Sequence, residues 1–400
     1  MRFSKNIEKI SVSKTAEIAD LALSLKEKGH QVINMASGEL SFKPALMVRK
    51  EACRVINKGE TLYTQIAGKI ELRKLISKKL KEDLNIEYRT NEIIVSNGGK
   101  QVIFNALQST INKGDEVIII SPYWVSYPEI IKICGGKPKV LYAKREEGFS
   151  IDTEKLEKLI TSKTKWLILN SPNNPTGIVY SIENLKKVVS VLIKYPNIWI
   201  LSDDIYEKIN FSLEGNTNIV SLEKKLKERS LIVNGFSKGY SMTGWRLGYG
   251  AGPKALIDAM TKIQSQSTSA ANTIAQNAAI KALQLDKAYF DAIKTSLVKR
   301  REIVISALYE LQGFDFNFSQ GAFYLFPSIK HFLGKRLKGK KVILDDTSFC
   351  LQLLSLKQVA LVPGSSFGSK NSIRISYALN EKDLRLGCKR IKEFCEKLVS

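Results

Sequence analysis

The chain has 400 residues, 44% hydrophobic and 25% charged, which is ordinary for a globular protein and sufficient for a large core. At roughly 150 residues per domain, two or three domains are expected. No apolar run approaches the ~18 residues needed to span a membrane, and the start Met-Arg-Phe-Ser-Lys-Asn-Ile-Glu-Lys lacks the apolar stretch of a secretory signal, so a cytoplasmic protein is expected. The formal net charge of +23 would suit an anionic partner, but the lysines are scattered along amphipathic runs and no nucleic-acid reading module is present. Lys224 to Arg229 and Lys335 to Lys341 are the densest basic clusters. Five cysteines (Cys53, Cys134, Cys350, Cys388 and Cys395) show neither a CxxC pair nor ligand spacing, so reduced thiols and no metal are expected. His30 and His331 stand without acidic or thiol neighbours at triad or metal spacing.

Taken in chain order, an N-terminal piece runs to about Pro44, and an amphipathic helix is predicted at Leu72 to Lys81. Strand-like runs follow at Glu92 to Ser96, Glu116 to Ser121, Pro138 to Tyr142, Trp166 to Asn170, Trp199 to Asp203, Ser230 to Asn234 and Leu247 to Ala251, with helical stretches between them. This alternation predicts an α/β fold with a mostly parallel seven-stranded sheet, and runs such as Val117-Ile-Ile-Ile120 suit strands covered by helices on both faces. From about Ala292, a helix over Leu297 to Leu311 precedes short strands near Phe323 to Phe326 and Ile373 to Ser376.

Ligands of such sheets sit beyond the carboxyl ends of the strands, and the polar candidates all fall there. Asn97-Gly-Gly-Lys-Gln101, between strand and helix, offers free N–H groups and a helix dipole to an anion, though a plain tight turn reads equally well. Asn170-Ser-Pro-Asn-Asn-Pro-Thr-Gly177 is a turn sequence in its own right. Asp203 closes a buried-looking strand, where an unpaired carboxylate would be costly and a cationic partner is expected; Asp204 is its rival, and an acidic pair there also suits a helix cap. In Asn234-Gly-Phe-Ser-Lys238-Gly-Tyr-Ser-Met-Thr-Gly-Trp-Arg246, a lysine and an arginine share a small-residue loop. That combination suits an aldehyde cofactor with a phosphate tail: the amine forms a Schiff base and the planar guanidinium grips the phosphate.

The Lys238 segment resembles the cofactor-lysine signature of class I aminotransferases, the fold-type I pyridoxal-phosphate enzymes. Pro122-Tyr-Trp-Val-Ser-Tyr-Pro128 narrows the likeness to their bacterial-type aspartate/prephenate aminotransferase branch, and the likeness runs from Ser11 to Arg374. It implies pyridoxal 5'-phosphate as cofactor and a homodimer with shared active sites. It also implies a large domain at 45–291 and a small α+β domain built from 1–44 and 292–400 together.

By the same likeness Lys238 is the catalytic lysine, Asp203 faces the pyridine nitrogen, and Asn174 and Tyr206 hydrogen-bond the phenolic oxygen. Trp124 stacks on the ring, Gly99, Lys100 and Arg246 line the phosphate end, and Tyr63 reaches it from the partner subunit. Arg374 clamps the substrate α-carboxylate, which also meets the backbone of Gly38. Asn174 and Trp124 border the substrate too, and Lys100, assisted by Ser11 and Ser13, is associated with a distal carboxylate.

Leu40 and Ile70 depart from the family pattern, which has Glu-Pro-Asp-Phe where this chain has Glu39-Leu-Ser-Phe42 and Gly-Ile-Pro where it has Gly68-Lys-Ile70. Asp204 stands in place of the family's glutamate. The expected activity is transfer of an amino group between aspartate or glutamate and a 2-oxo acid. Prephenate or aromatic specificity, a lyase or synthase of the same fold, and a non-catalytic ligand sensor are the alternatives.

Overall fold

The computed structural model describes Glu8, Ile10 and residues 14–399. A two-residue strand β1 (Ile33–Asn34) comes first, and the central sheet follows with β2 (Ile93–Ser96), β3 (Glu116–Ser121), β4 (Lys137–Tyr142), β5 (Thr164–Asn170), β6 (Trp199–Asp203), β7 (Ser230–Gly235) and β8 (Gly248–Ala251). The seven strands stand in the order β2-β8-β7-β6-β5-β3-β4. Only β8 runs against its neighbours, so the carboxyl ends of the other six share one rim. Each strand expected from the sequence is present, with ends shifted by at most two residues.

Strand alternation divides the side chains between two cores. Ile118 and Ile120 of β3 and Leu167 and Leu169 of β5 enter one cluster, whereas Val117, Ile119, Trp166 and Ile168 enter the cluster on the other face. Both faces are therefore covered, as the near-continuous apolar runs required. The helix expected over Leu72 to Lys81 extends over Ile70–Leu84 and buries Leu72, Ile76 and Leu80 at i, i+4, i+8. It ends at Asn85, whose φ of 55° lies in the left-handed region that suits a C-cap.

The remaining strands are short: β9 (Tyr324–Leu325), β10 (Val359–Ala360), β11 (Val362–Pro363) and β12 (Ile373–Ser376). β11, β12 and β9 form an antiparallel sheet, and β10 pairs in parallel with β1 from the opposite end of the chain. A third core joins Ile33 and Met35 to residues between Ile293 and Leu398. The helix expected from Leu297 begins ten residues earlier, at Lys287, because the Asp286 carboxylate caps the N–H of Tyr289 at 3.0 Å. Cys388 and Cys395 are both buried on the last helix, Glu381–Cys395. All five cysteines are free thiols.

One basic cluster acts on the protein itself. Arg229 donates to the carbonyls of Leu192, Tyr195 and Ile198 at 2.8 to 2.9 Å, which closes the carboxyl end of the helix Ile182–Lys194. Lys227 pairs with Glu92 at 3.3 Å. No helix among the described residues is long and apolar enough to cross a membrane.

Candidate active site

The polar groups gather on the common rim. Asp203 is the last residue of β6, and Asn174, Trp124, Gly99, Lys100, Tyr206 and Lys238 lie on the segments that leave the carboxyl ends of β5, β3, β2, β6 and β7. Lys238 follows β7, and its ammonium donates to the carbonyl of Gly38 at 2.6 Å. It also lies 5.9 Å from the centre of the Tyr206 ring. Burial, reinforced by the charges of Arg374 and Arg246, pushes the Lys238 pKa down to about 8.

Asp203 is 6% exposed and meets no cation within 4 Å among the described residues. The Tyr127 hydroxyl donates to its Oδ2 at 2.6 Å, the Ile205 N–H to its Oδ1 at 3.3 Å, and the Asn170 amide holds its backbone carbonyl at 2.9 Å. Burial raises the carboxyl to about 6, against these donors and the positive Lys238. Asp204 is held by quite different partners. Ser202 Oγ and Asn218 Nδ2 both donate to it at 2.7 Å, and burial raises it to about 7. Of the two adjacent carboxyls, Asp203 is the one drawn down by the positive Lys238.

Arg374, in β12, is 4% exposed and joins three parts of the chain. One guanidinium nitrogen donates to Asn174 Oδ1 at 3.0 Å, another to the carbonyl of Ala36, and Nε is buried without a partner. Its guanidinium carbon lies 4.5 Å from the Tyr324 ring centre and 5.1 Å from that of Phe367. The Tyr324 hydroxyl in turn meets Tyr206 Oη at 3.0 Å. Desolvation lowers the Arg374 pKa, yet a guanidinium stays charged throughout the physiological range.

On the same rim, the helix Gly99–Thr110 starts at Gly98 with no side-chain cap. Gly98 has a φ of +86°, and a Cβ there would lie 2.7 Å from an Arg246 guanidinium nitrogen, so the close approach of that arginine requires glycine. Arg246 is itself exposed and donates to the carbonyl of Thr243 at 2.9 Å. Lys100 stands over the Trp124 ring at 5.0 Å, its pKa lowered by desolvation and then by Arg246.

Tyr63 is 92% exposed and touches none of these groups. Leu40 packs, half-buried, against the third core, and Ile70 opens its helix at the surface. Ser11 and Ser13 lie outside the described residues. Sequence reasoning missed Tyr127 and Tyr324. The first stood inside the quoted Pro122–Pro128 motif and the second inside an expected strand, and nothing in either local pattern sets the tyrosine apart.

The family model for class I and II aminotransferases matches residues 30–391. A protein of Rhizobium leguminosarum bv. phaseoli described as a probable aspartate/prephenate aminotransferase is 43% identical over 389 residues, which is 97% of each chain. Among solved structures, the aspartate aminotransferase of Rhizobium meliloti superposes with a TM-score of 0.96 at 40% identity, covering 100% of both chains. The aspartate aminotransferase of Thermus thermophilus with maleate gives a TM-score of 0.92 at 34% identity, over 98% of this chain and 100% of that one.

Proposed function

The chain belongs to the class I and II aminotransferases, and from that premise we propose that it binds pyridoxal 5'-phosphate at Lys238 and moves the amino group of aspartate or glutamate to a 2-oxo acid. One observation carries the reading. Lys238, with a pKa near 8, and the buried Asp203, which makes no ion pair within 4 Å among the described residues, act on each other electrostatically, and the charges of Arg374 and Arg246 both reach the lysine. The residues fit the cofactor. The orphaned Nε of Arg374 offers a donor to a carboxylate, and Gly98 leaves room for Arg246 beside an uncapped helix start that suits a phosphate.

Pyridoxal phosphate, when bound, supplies an aldehyde that takes up amino groups and a ring that withdraws electrons from the substrate α-carbon. Lys238 does the proton work. At pH 7 about one amine in ten with this pKa is neutral, and the neutral Nζ would accept a proton from the substrate α-carbon and deliver it to the carbon on the other side of the amino nitrogen, two atoms away. The Gly38 carbonyl holds Nζ in place meanwhile. Asp203, mostly ionised at pH 7 with a pKa near 6, would supply the negative charge that keeps the cofactor's ring nitrogen protonated. Asn174, Tyr206 and Trp124 orient the ring, and Gly99, Lys100 and Arg246 hold the phosphate.

Arg374 binds the substrate α-carboxylate together with the backbone of Gly38, while Asn174 and Trp124 border it. Its guanidinium is already oriented by Asn174 and Ala36, so little ordering remains at binding. Lys100, with Ser11 and Ser13, receives the distal carboxylate; that a Thermus relative was solved with maleate, a dicarboxylate, accords with this. Exposed Tyr63, beside Leu62 at 84% exposure, serves the second subunit of a homodimer. We further infer a large domain at 45–291 and a small one from 1–44 with 292–400, supported by the β1–β10 pairing and the third core, and a cytoplasmic location.

Borohydride reduction of the cofactor-loaded protein followed by peptide mapping tests the proposal: the label is expected on Lys238. Label on another amine would overturn it. Cofactor absorbance that cycles on adding aspartate and then 2-oxoglutarate separates transamination from lyase chemistry, and prephenate belongs among the acceptors because relatives carry that name.

A further inference from the structure

Resting on the role of Asp203 given above, we propose that Tyr127 is a positioning residue that fixes the Asp203 carboxylate through its hydroxyl and braces Trp124 with its ring, so that one side chain aligns the groups at the edge and the face of the cofactor ring. Tyr127 lies in the first turn of the helix Ser126–Ile133 and is 2% exposed. Its hydroxyl reaches Asp203 Oδ2 at 2.6 Å across 76 residues of sequence. Its ring meets Trp124 edge-on, at 5.3 Å between centroids and 85° between planes. The Tyr127 N–H bonds the Trp124 carbonyl at 3.0 Å, which fixes the separation of the two side chains through the backbone.

Packing alone does not explain the hydroxyl. Phenylalanine would fill the same core position, and a buried hydroxyl is unfavourable unless it is bonded. Here its partner is a carboxylate that makes no ion pair within 4 Å among the described residues. A charge-assisted O–H···O bond is short and directional, so it sets the plane of the carboxyl as well as favouring its ionised form.

Burial raises Asp203; the Tyr127 hydroxyl is foremost among the groups that draw it back, followed by the Ile205 N–H and the positive Lys238 from the loop after β7. Tyr206 on the turn after β6, Asp204 beside it and Tyr180 are the other titratable groups near the pair. Burial also holds the Tyr127 phenol well above its usual range, so it remains a donor at any working pH.

The test is a titration of cofactor-free protein with pyridoxal 5'-phosphate for the parent, Tyr127→Phe, Asp203→Asn and the double variant. Tyr127→Phe removes one oxygen and keeps the ring, so circular dichroism is expected to be unchanged and the thermal midpoint to move by a few degrees. Its cofactor affinity is expected to fall about tenfold, the size of a lost bond to a charged group, with kcat lowered and the donor KM little changed. In the Asp203→Asn background the same substitution is expected to cost less than about threefold, because its effect passes through the carboxylate. An unchanged affinity for Tyr127→Phe, or an equal loss in both backgrounds, overturns the proposal. If Asp203→Asn binds the cofactor as the parent does, the role of Asp203 itself fails, and the inference fails with it.

Discussion

The inner wall of the cleft and its outer mouth are built on different terms. On the inner wall, Asp203, Asn174, Tyr206 and Arg374 are buried, and each has a hydrogen-bond partner within the same chain. At the mouth, Arg246, Lys100 and Tyr63 are exposed and rest on a carbonyl, an aromatic face and solvent respectively. Groups in a low-dielectric interior act strongly and keep their orientation, so that is where proton transfer and electron withdrawal need them. A phosphate or a second carboxylate can be gripped by exposed cations.

Substitutions at six residues would break or sharpen that contrast. The largest effect is expected at the inner wall: Lys238→Ala should keep the fold and lose at least about a thousandfold in turnover, since nucleophile and general base vanish together. Near-parental transamination by this variant would refute the role. Arg374→Ala should raise KM for every amino donor about a hundredfold, the scale of removing one member of a buried charge pair. Arg374→Lys should recover little of it, because an ammonium lacks the planar fork that Asn174 and Ala36 hold.

Changes at the mouth should be milder. Arg246→Ala, and separately Tyr63→Phe, should each weaken cofactor binding about tenfold. Subunit mixing checks the Tyr63 effect: a Tyr63→Phe chain paired with a Lys238→Ala chain should have its remaining functional site served by the parental tyrosine and show near-normal affinity there. Lys100→Ala should lower kcat/KM about tenfold for aspartate and little for alanine; equal losses would remove Lys100 from the specificity role.

The smallest effect belongs to Asp204→Asn, with turnover within about threefold of the parent. Its signature is in stability. The folded Asp204 and Asp203 carboxyls titrate near 7 and 6, above the unfolded value of 3.8, so the stability they contribute is full below pH 4 and is lost as pH rises toward 7. The cofactor-free Asp204→Asn protein should therefore show a flatter decline of its unfolding midpoint between pH 4 and pH 7. An unaltered slope would mean that Asp204 does not titrate in that window.

Much of the fold was legible because strand periodicity is a local property. Val117-Ile-Ile-Ile120 is β-branched and doubly buried, and it read as a covered strand before any contact was known. The helix start at Lys287 was not legible, since the run from Lys287 to Lys294 carries little apolar period, and an Asp286 cap plus packing of Phe290 and Ile293 decides it. The two-residue strands β1 and β10 escaped as well, because only their pairing makes them strands. Within the site, the Lys238 and Asp203 segments stood out as unusual residues in strand-end loops. The hydrogen-bond partners of Asp203 and Asp204 did not.

By itself the amino-acid order determined the alternation of strand and helix, the rim on which the polar groups fall, and the chemistry of an amine and an arginine sharing one small-residue loop, for these follow from side-chain type and period within a few residues. Only the tertiary structure decided which of two neighbouring carboxyls meets Tyr127, that Arg374 finds Asn174 from 200 positions away, and that Tyr63 stands outside the cleft of its own chain. Hydrogen-bond direction and burial depend on what folds against a residue, and no local pattern encodes that neighbour.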